Sequence, residues 1–385
     1  MANLRHLKRL TPINRLLAGV GLAVAATLAG AGELVVAHMA PFTGPASIEA
    51  AEYNAGIRLA IKAANASGGI NGQQVVLKTE NDEYKPERAA AIFRQLAASE
   101  AVATLLPVGS PAMGQLLKDG LPETLKLPIV GLIPAAEPFR NPVHPYVYHV
   151  RAGDLSQYRK LVEHARTIGV QRLAVVYTDS PFGAAGLAAI EGMLKKQSQD
   201  LVARIAIPVS DTARLPEVTD ALARSNPDFV FLVSPSKLAG DFLKAYRSKG
   251  LSAPLAMTSY GNADVLCAIA GRENAHGVIM SQVMPNVSNN AIPVVRRFQE
   301  DLKKHGEKDM RANIFQLEAY VTTQVLLEGL RRAGSNPSRQ KLLNALDSGK
   351  RIDLGGYGVD FTPARHTGSE FVDISIVGRD CRLIF

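Results

Sequence analysis

The sequence predicts an α/β protein built as two doubly wound lobes. Apolar, strand-like runs alternate with amphipathic helical stretches, which is the pattern of parallel sheets covered on both faces. The alternation occurs in two successive series. The 354 residues that follow an N-terminal leader also exceed the size at which a single core keeps growing, so two cores are expected.

Residues 1–31 read as a secretory leader. Arg5, Lys8, Arg9 and Arg15 form a basic head, residues 16–28 an apolar run, and Ala29, Gly30 and Ala31 a small-residue cleavage site. The apolar run is shorter than the ~20 residues a bilayer-spanning helix needs, so cleavage is expected rather than anchoring. No cysteine stands directly after the site, where the chain has Gly32, which argues against a lipid anchor. Removing the four basic leader residues lowers the formal charge from +8 to +4. That excess is mild, and no dense basic helix, aromatic RNA-binding pattern or zinc-finger spacing accompanies it, so nucleic acid is not an expected partner.

In the first series, strands are expected at 34–40, 75–80, 103–108 and 129–133, with helices at 48–66, 86–99 and 111–118 between them. Ile57, Ala60, Ile61 and Ala64 recur at i, i+3, i+4, i+7, the spacing of one buried helical stripe. Gly68 and Gly69 then supply the left-handed backbone that stops a helix, and Val75, Val76 and Leu77 start a buried strand. In the second series, strands fall at 172–178, 202–209, 228–233 and 255–258, with helices at 155–168, 183–197, 215–225 and 238–249. Two further helices, 291–305 and 313–333, precede the C-terminal strands.

The first turn is set among specific neighbours. Pro41, Phe42, Thr43, Gly44 and Pro45 lie upstream; Asn65, Ala66, Ser67, Gly68, Gly69, Ile70, Asn71 and Gly72 form the turn; Asn81, Asp82, Glu83, Tyr84, Lys85 and Pro86 close the next strand. In this order the motifs resemble the start of the leucine/isoleucine/valine-binding protein family, the periplasmic solute-binding subunits of branched-chain amino acid ABC transporters. The likeness runs over nearly the whole chain after the leader. It implies the type I periplasmic binding fold, with a multi-crossing hinge and no cofactor. Residues 32–152 plus 284–354 would form the N-terminal lobe, and residues 153–283 plus 355–385 the C-terminal lobe. The partners it implies are a small amino acid or organic acid and an inner-membrane permease, with the protein a monomer in the periplasm.

In open α/β sheets ligands bind outside the carboxyl ends of the strands. Gly109 and Ser110 end the third strand and open a helix, where a hydroxyl and free backbone N–H groups suit a carboxylate. A plain N-cap serine is the alternative; the resemblance favours Ser110 as a ligand to the solute carboxylate. Ala135, Ala136 and Glu137 match the family's next ligand loop, with Glu137 where a threonine is usual. An ionised glutamate there would repel a carboxylate. Either Glu137 turns to solvent while the Ala135 and Ala136 backbone binds, or the ligand presents a cation or hydroxyl to it.

Phe182 stands where the family places a tyrosine, keeping an aromatic wall without its hydroxyl; a core phenylalanine is the other reading. Ser236 ends another strand and would line the cleft floor. Tyr260 replaces the glutamate that pairs with a ligand ammonium in leucine-binding members, which removes a charge-assisted hydrogen bond. Asp154, otherwise a helix N-cap, or Glu137 would then have to supply that charge. Failing both, an organic acid without an ammonium becomes attractive, with Phe42, Tyr53, Phe182 and Tyr260 as apolar walls.

The chain lacks G-x-x-x-x-G-K-[ST], H-E-x-x-H and G-x-S-x-G, so the phosphate-loop, zinc-protease and nucleophile-elbow chemistries have no signature. His144 and His149 fit no common zinc spacing, and no metal is expected. Cys267 and Cys381 are the only cysteines; an exported protein permits a bridge, and a disulfide and two buried free thiols are both open. The expected function is capture of a small amphipathic solute by hinge closure and its delivery to an importer, with no catalysis. A periplasmic input protein for a receptor or kinase is the alternative.

Overall fold

The computed structural model describes residues 32–44, 46–209, 211–308 and 310–385; the expected leader lies outside the described residues. Strand β1 (Leu34–Ala40) is buried along its whole length, His38 included, as a run otherwise of Leu, Val, Ala and Met covered on both faces must be. It sits inside a five-stranded parallel sheet, with β2 (Val75–Asn81) on one side and β3 (Thr104–Leu105), β4 (Ile129–Val130) and β5 (Val147–Tyr148) on the other.

Helix α1 (Ser47–Ala66) joins β1 to β2 through the glycine turn. Gly69 has φ +75°, and a Cβ there would lie 2.0 Å from the Gln73 carbonyl, so only glycine fits. Asn65 welds the turn to the strand: its side-chain amide donates to the Val75 carbonyl and accepts the Val75 N–H, both at 2.8 Å. Helices α2 (Pro86–Ala97), α3 (Ser110–Lys118) and α4 (Leu121–Thr124) complete the connections.

Strands β3 and β4 are shorter than the apolar runs that encode them. Leu106 adopts φ 42° and Gly131 φ 77°, which turns residues 106–109 and 131–136 out of the ladder while leaving most of them buried. The displaced segments are strand ends aimed at the cleft.

The second sheet has the order β14-β13-β10-β9-β8-β6-β7. It combines β6 (Leu173–Thr178), β7 (Ala203–Ile207), β8 (Phe229–Val233), β9 (Leu255–Met257) and β10 (Ile279–Gln282) in parallel with the C-terminal antiparallel strands β13 (Asp373–Val377) and β14 (Leu383–Ile384). Its covering helices are α5 (Asp154–Thr167), α6 (Pro181–Lys195), α7 (Leu215–Ser225), α8 (Ser236–Ser248), α9 (Ala263–Ala270) and α10 (Arg272–Ala275). Cys267 on α9 is disulfide-bonded to Cys381 beside β14, with Cα atoms 6.2 Å apart, so the bridged reading of the two cysteines is the one realised.

Helices α11 (Pro293–His305), α12 (Ile314–Arg332) and α13 (Arg339–Leu346) return to the first lobe. Gly56 lets α12 approach α1 closely: a Cβ there would lie 2.3 Å from the Gln316 carbonyl. The short hairpin of β11 (Ile352–Asp353) and β12 (Gly358–Val359) follows. Tyr357, Val359 and Phe361 pack in the first core, so the chain leaves that lobe after Phe361, later than the Gly355–Gly356 position expected from the sequence. Three connections thus run between the lobes, after β5, β10 and β12. The first and third lie side by side, with His149 donating its N–H to the His366 carbonyl at 2.8 Å.

Candidate functional site

The carboxyl ends of the parallel strands of both sheets meet around a cavity of about 70 Å³. From the first lobe, the start of α1 contributes Glu49 and Tyr53, the loop after β2 contributes Tyr84, and the displaced ends of β3 and β4 contribute Gly109, Ser110 and Ile133. The second lobe supplies Phe182 at the start of α6, Pro235 before α8 and Tyr260 after β9. Phe315 on α12 closes the side.

Gly109 takes φ +105° and has the Tyr84 ring against it, 3.0 Å from where a Cβ would stand. Both constraints require glycine, and together they let the chain turn so that α3 begins at the cavity. Gly109 is therefore the cap residue, and no side chain caps the helix. The N-cap reading of Ser110 gives way: Ser110 is the first helical residue, lines the cavity and has a hydroxyl without a hydrogen-bond partner among the described residues. A hydroxyl beside the open N–H groups of a nine-residue helix is suited to an anion.

Tyr260 and Phe182 form one wall, their rings edge to face at 5.1 Å. The Tyr260 hydroxyl points away from the cavity and into the lobe junction. It lies 3.0 Å from Asp154 Oδ1 and 3.1 Å from the Ile133 carbonyl, donating between them, and accepts the Ala135 N–H at 3.0 Å. Behind the ring, the Arg151 guanidinium stands 4.7 Å from its centre, donates to the Ser259 hydroxyl and pairs with Glu318 at 3.2 Å. Tyr53 adds its phenol to Glu318 at 3.3 Å. Arg140 donates to the Ala135 and Arg151 carbonyls, each at 3.1 Å, and to the Thr367 hydroxyl at 3.0 Å. Burial raises the Asp154 carboxyl, and Arg151 and Arg140 oppose that rise.

Several expected site residues stand outside the cavity. Ala135 is occupied by the junction, its N–H held by Tyr260 and its carbonyl by Arg140 and the Asp154 N–H. Ala136 and Glu137 lead into a short turn on the far side. There the Glu137 carboxylate accepts from the Asn141 amide at 3.0 Å and borders a polar depression shared with Arg140, His144 and Glu370. Glu137 is outside the cleft because the turn carries it past the strand end.

Asp154 is buried behind Tyr260 rather than facing a ligand, and it is the first residue of α5, with Gly153 in the cap position. Phe42 packs edge-on against His38 at 5.4 Å, away from the cavity. Ser236 braces the Tyr260 loop, donating to the Tyr260 carbonyl at 3.2 Å and accepting the Asn262 N–H at 2.9 Å. Among the described residues no group of three or more His, Cys, Asp or Glu side chains is placed to hold a metal ion. His149 is bonded to the Phe139 carbonyl, and His144 accepts the Tyr146 N–H.

Glu49, Tyr84 and Phe315 line the cavity without having been singled out by the sequence. An acid in the first turn of a helix reads as a complement to the helix dipole, and that ordinary role hides Glu49. Glu49 is 9 % exposed, and burial raises its carboxyl, an effect only partly offset by the Ser236 hydroxyl. Burial likewise pushes the Tyr84 phenol up to about 12.

The sequence profile of the periplasmic binding protein family matches residues 33–375. A Brucella melitensis protein described as Leu/Ile/Val-binding protein homolog 7 is 27 % identical over 365 residues, covering 89 % of each chain. The crystal structure of an extracellular ligand-binding receptor from Verminephrobacter eiseniae superimposes with a TM-score of 0.86 at 30 % identity, covering 92 % of this chain and all of that one. A substrate-binding periplasmic protein from Ralstonia solanacearum gives 0.86 at 29 % identity, covering 91 % and 99 % of the two chains.

Proposed function

The chain belongs to the periplasmic binding protein family, and from that premise we propose that it captures a small amphipathic carboxylate, an amino acid or related acid, and delivers it to an ABC importer. The observation that carries this reading is Ser110, whose hydroxyl has no hydrogen-bond partner among the described residues and stands at the open end of α3 in a cavity walled by both lobes. The Brucella relative, described by name as a homologue of a Leu/Ile/Val-binding protein, supports the amino-acid class.

In this mechanism the first lobe receives the carboxylate at Ser110 and the N-terminus of α3. The Ala135 backbone plays no part, because the junction already uses its polar groups. Phe182 and Tyr260 arrive with the second lobe and cover the apolar body of the solute. Since only the closed arrangement makes both sets of contacts, the ligand shifts the population toward it. The importer then distinguishes the loaded protein by its closed shape.

Native mass spectrometry of the exported protein, followed by a thermal-shift panel of amino acids and organic acids, tests the reading. A retained or stabilising monocarboxylate, with affinity reduced about tenfold or more in Ser110→Ala, is the expected result. Full-strength binding of that carboxylate by Ser110→Ala would remove Ser110 from the site.

A further inference from the structure

Glu49 is an acid without a counter-charge among the described residues. It stands in the first turn of α1, 9 % exposed, in a cavity whose walls include Ser110 and the rings of Tyr53, Tyr84, Phe182, Tyr260 and Phe315. Among the described residues no Lys, Arg or His lies within ion-pair distance of it, and the charged side chain acting on it most directly is another acid, Glu52. Glu52 is itself held by the Asn313 and Gln316 amides at 2.7 Å each. The two buried cations of the junction are committed elsewhere, Arg151 to Glu318 and Arg140 to the Ala135 and Arg151 carbonyls.

A carboxylate taken out of water without a cation is costly, and the dipole of α1 offsets only a fraction of that cost. Such a group is retained where a ligand completes it. We propose that Glu49 binds a cationic nitrogen of the solute, so that the ligand is a zwitterion with an apolar body, its carboxylate at Ser110 and its ammonium at Glu49. This rests on the reading of the cavity as a carboxylate site and narrows it to amino acids. Glu49 restores, from the first helix of the first lobe, the acidic partner that Tyr260 displaces from the second. The aromatic rings reinforce the choice, because their faces attract an ammonium and offer nothing to a second anion. A negative charge at this end of the ligand would meet Glu49 in a site with little water to screen the repulsion.

The test is calorimetric titration of the mature protein with matched pairs that differ only in the amino group: phenylalanine against 3-phenylpropionate, and leucine against 4-methylpentanoate. The expected result is that at least one amino acid binds about tenfold to a hundredfold more tightly than its des-amino partner, and that Glu49→Gln abolishes this preference. Ser110→Ala is expected to weaken both members of the pair. Circular dichroism and the melting temperature of Glu49→Gln check that the variant is folded, and leaving out a buried unpaired charge favours that. If the des-amino acids bind as tightly as the amino acids, or if Glu49→Gln keeps the preference, the assignment of the ammonium to Glu49 is overturned while the carboxylate reading stands. If no member of either pair binds, the carboxylate reading falls and this inference with it.

Discussion

Arg151, 1 % exposed, and Glu49, 9 % exposed, are both charged and both buried where the lobes meet, yet among the described residues only Arg151 has a counter-charge. Arg151 pairs with Glu318, bonds Ser259 and lies over the Tyr260 ring, and its neighbours are themselves joined through Asp154, Tyr53 and Arg140. Glu49 lines a largely aromatic and apolar cavity that holds no cation among the described residues. The difference separates two uses of buried charge. A charge-paired network fixes how three connections and two lobes fit together, whereas an acid without a counter-charge marks the place where the molecule is incomplete without a solute.

Breaking the network should have the largest effect on stability. Arg151→Met strands Glu318 and removes a counter-charge from Asp154, so a loss of about 3–5 kcal/mol is expected, measured as a lowered urea midpoint. Tyr260→Phe keeps the cavity wall and removes only the hydroxyl that joins Asp154, Ile133 and Ala135; about 1–3 kcal/mol of stability should go. An unchanged urea midpoint in Tyr260→Phe would mean that this junction does not hold the lobes.

Changes at the cavity should read out in binding instead. Phe182→Ala removes a half-buried ring from the wall and should weaken binding of the solute about tenfold, with little change in the melting temperature of the empty protein. A melting temperature that falls as far as in Tyr260→Phe would place Phe182 in the core.

A smaller effect concerns Asp82, which holds the Tyr84 backbone N–H at 2.8 Å and so positions one cavity wall. Burial pushes its carboxyl up to about 6 from 3.8. The folded state therefore binds more protons than the unfolded state between those pH values, and the Asp82 contribution to stability is present below about pH 4 and lost as pH rises through about 6. His38, held down to about 3 by burial, acts in the opposite direction, its contribution being lost as pH falls below 6.5. Stability curves of wild type and Asp82→Asn should thus diverge across pH 4–6 by about 2 kcal/mol at most. Parallel curves would show that Asp82 ionises normally.

The sheets were legible in the sequence because covered parallel strands announce themselves as apolar runs and the glycine turn admits few alternatives. Gly109, Ser110, Phe182, Tyr53 and Tyr260 were legible as cavity residues for a related reason: strand ends and the family register place them. The ends of β3 and β4 were not, since runs such as 103–108 and 129–133 are apolar for burial whether or not they stay in the ladder. Glu137 and Asp154 illustrate a different limit. Sequence offers an acid near a strand end, but a single turn decides whether it faces the cleft, the outside or the junction. Glu49 escaped notice because its position in the first turn of a helix already has an ordinary explanation. The hydrogen-bond and ion-pair partners of the Arg151 and Tyr260 side chains are more than a hundred residues away along the chain, and no local pattern encodes them.

The contrast between the two buried charges is tested most directly by differential scanning calorimetry of Glu49→Gln, alone and with the amino acid that stabilises the wild type. The account predicts a melting temperature for the empty variant equal to or above that of the wild type, together with loss of most of the ligand-induced rise. A fall of several degrees in the empty protein, or a ligand-induced rise as large as in the wild type, would contradict it.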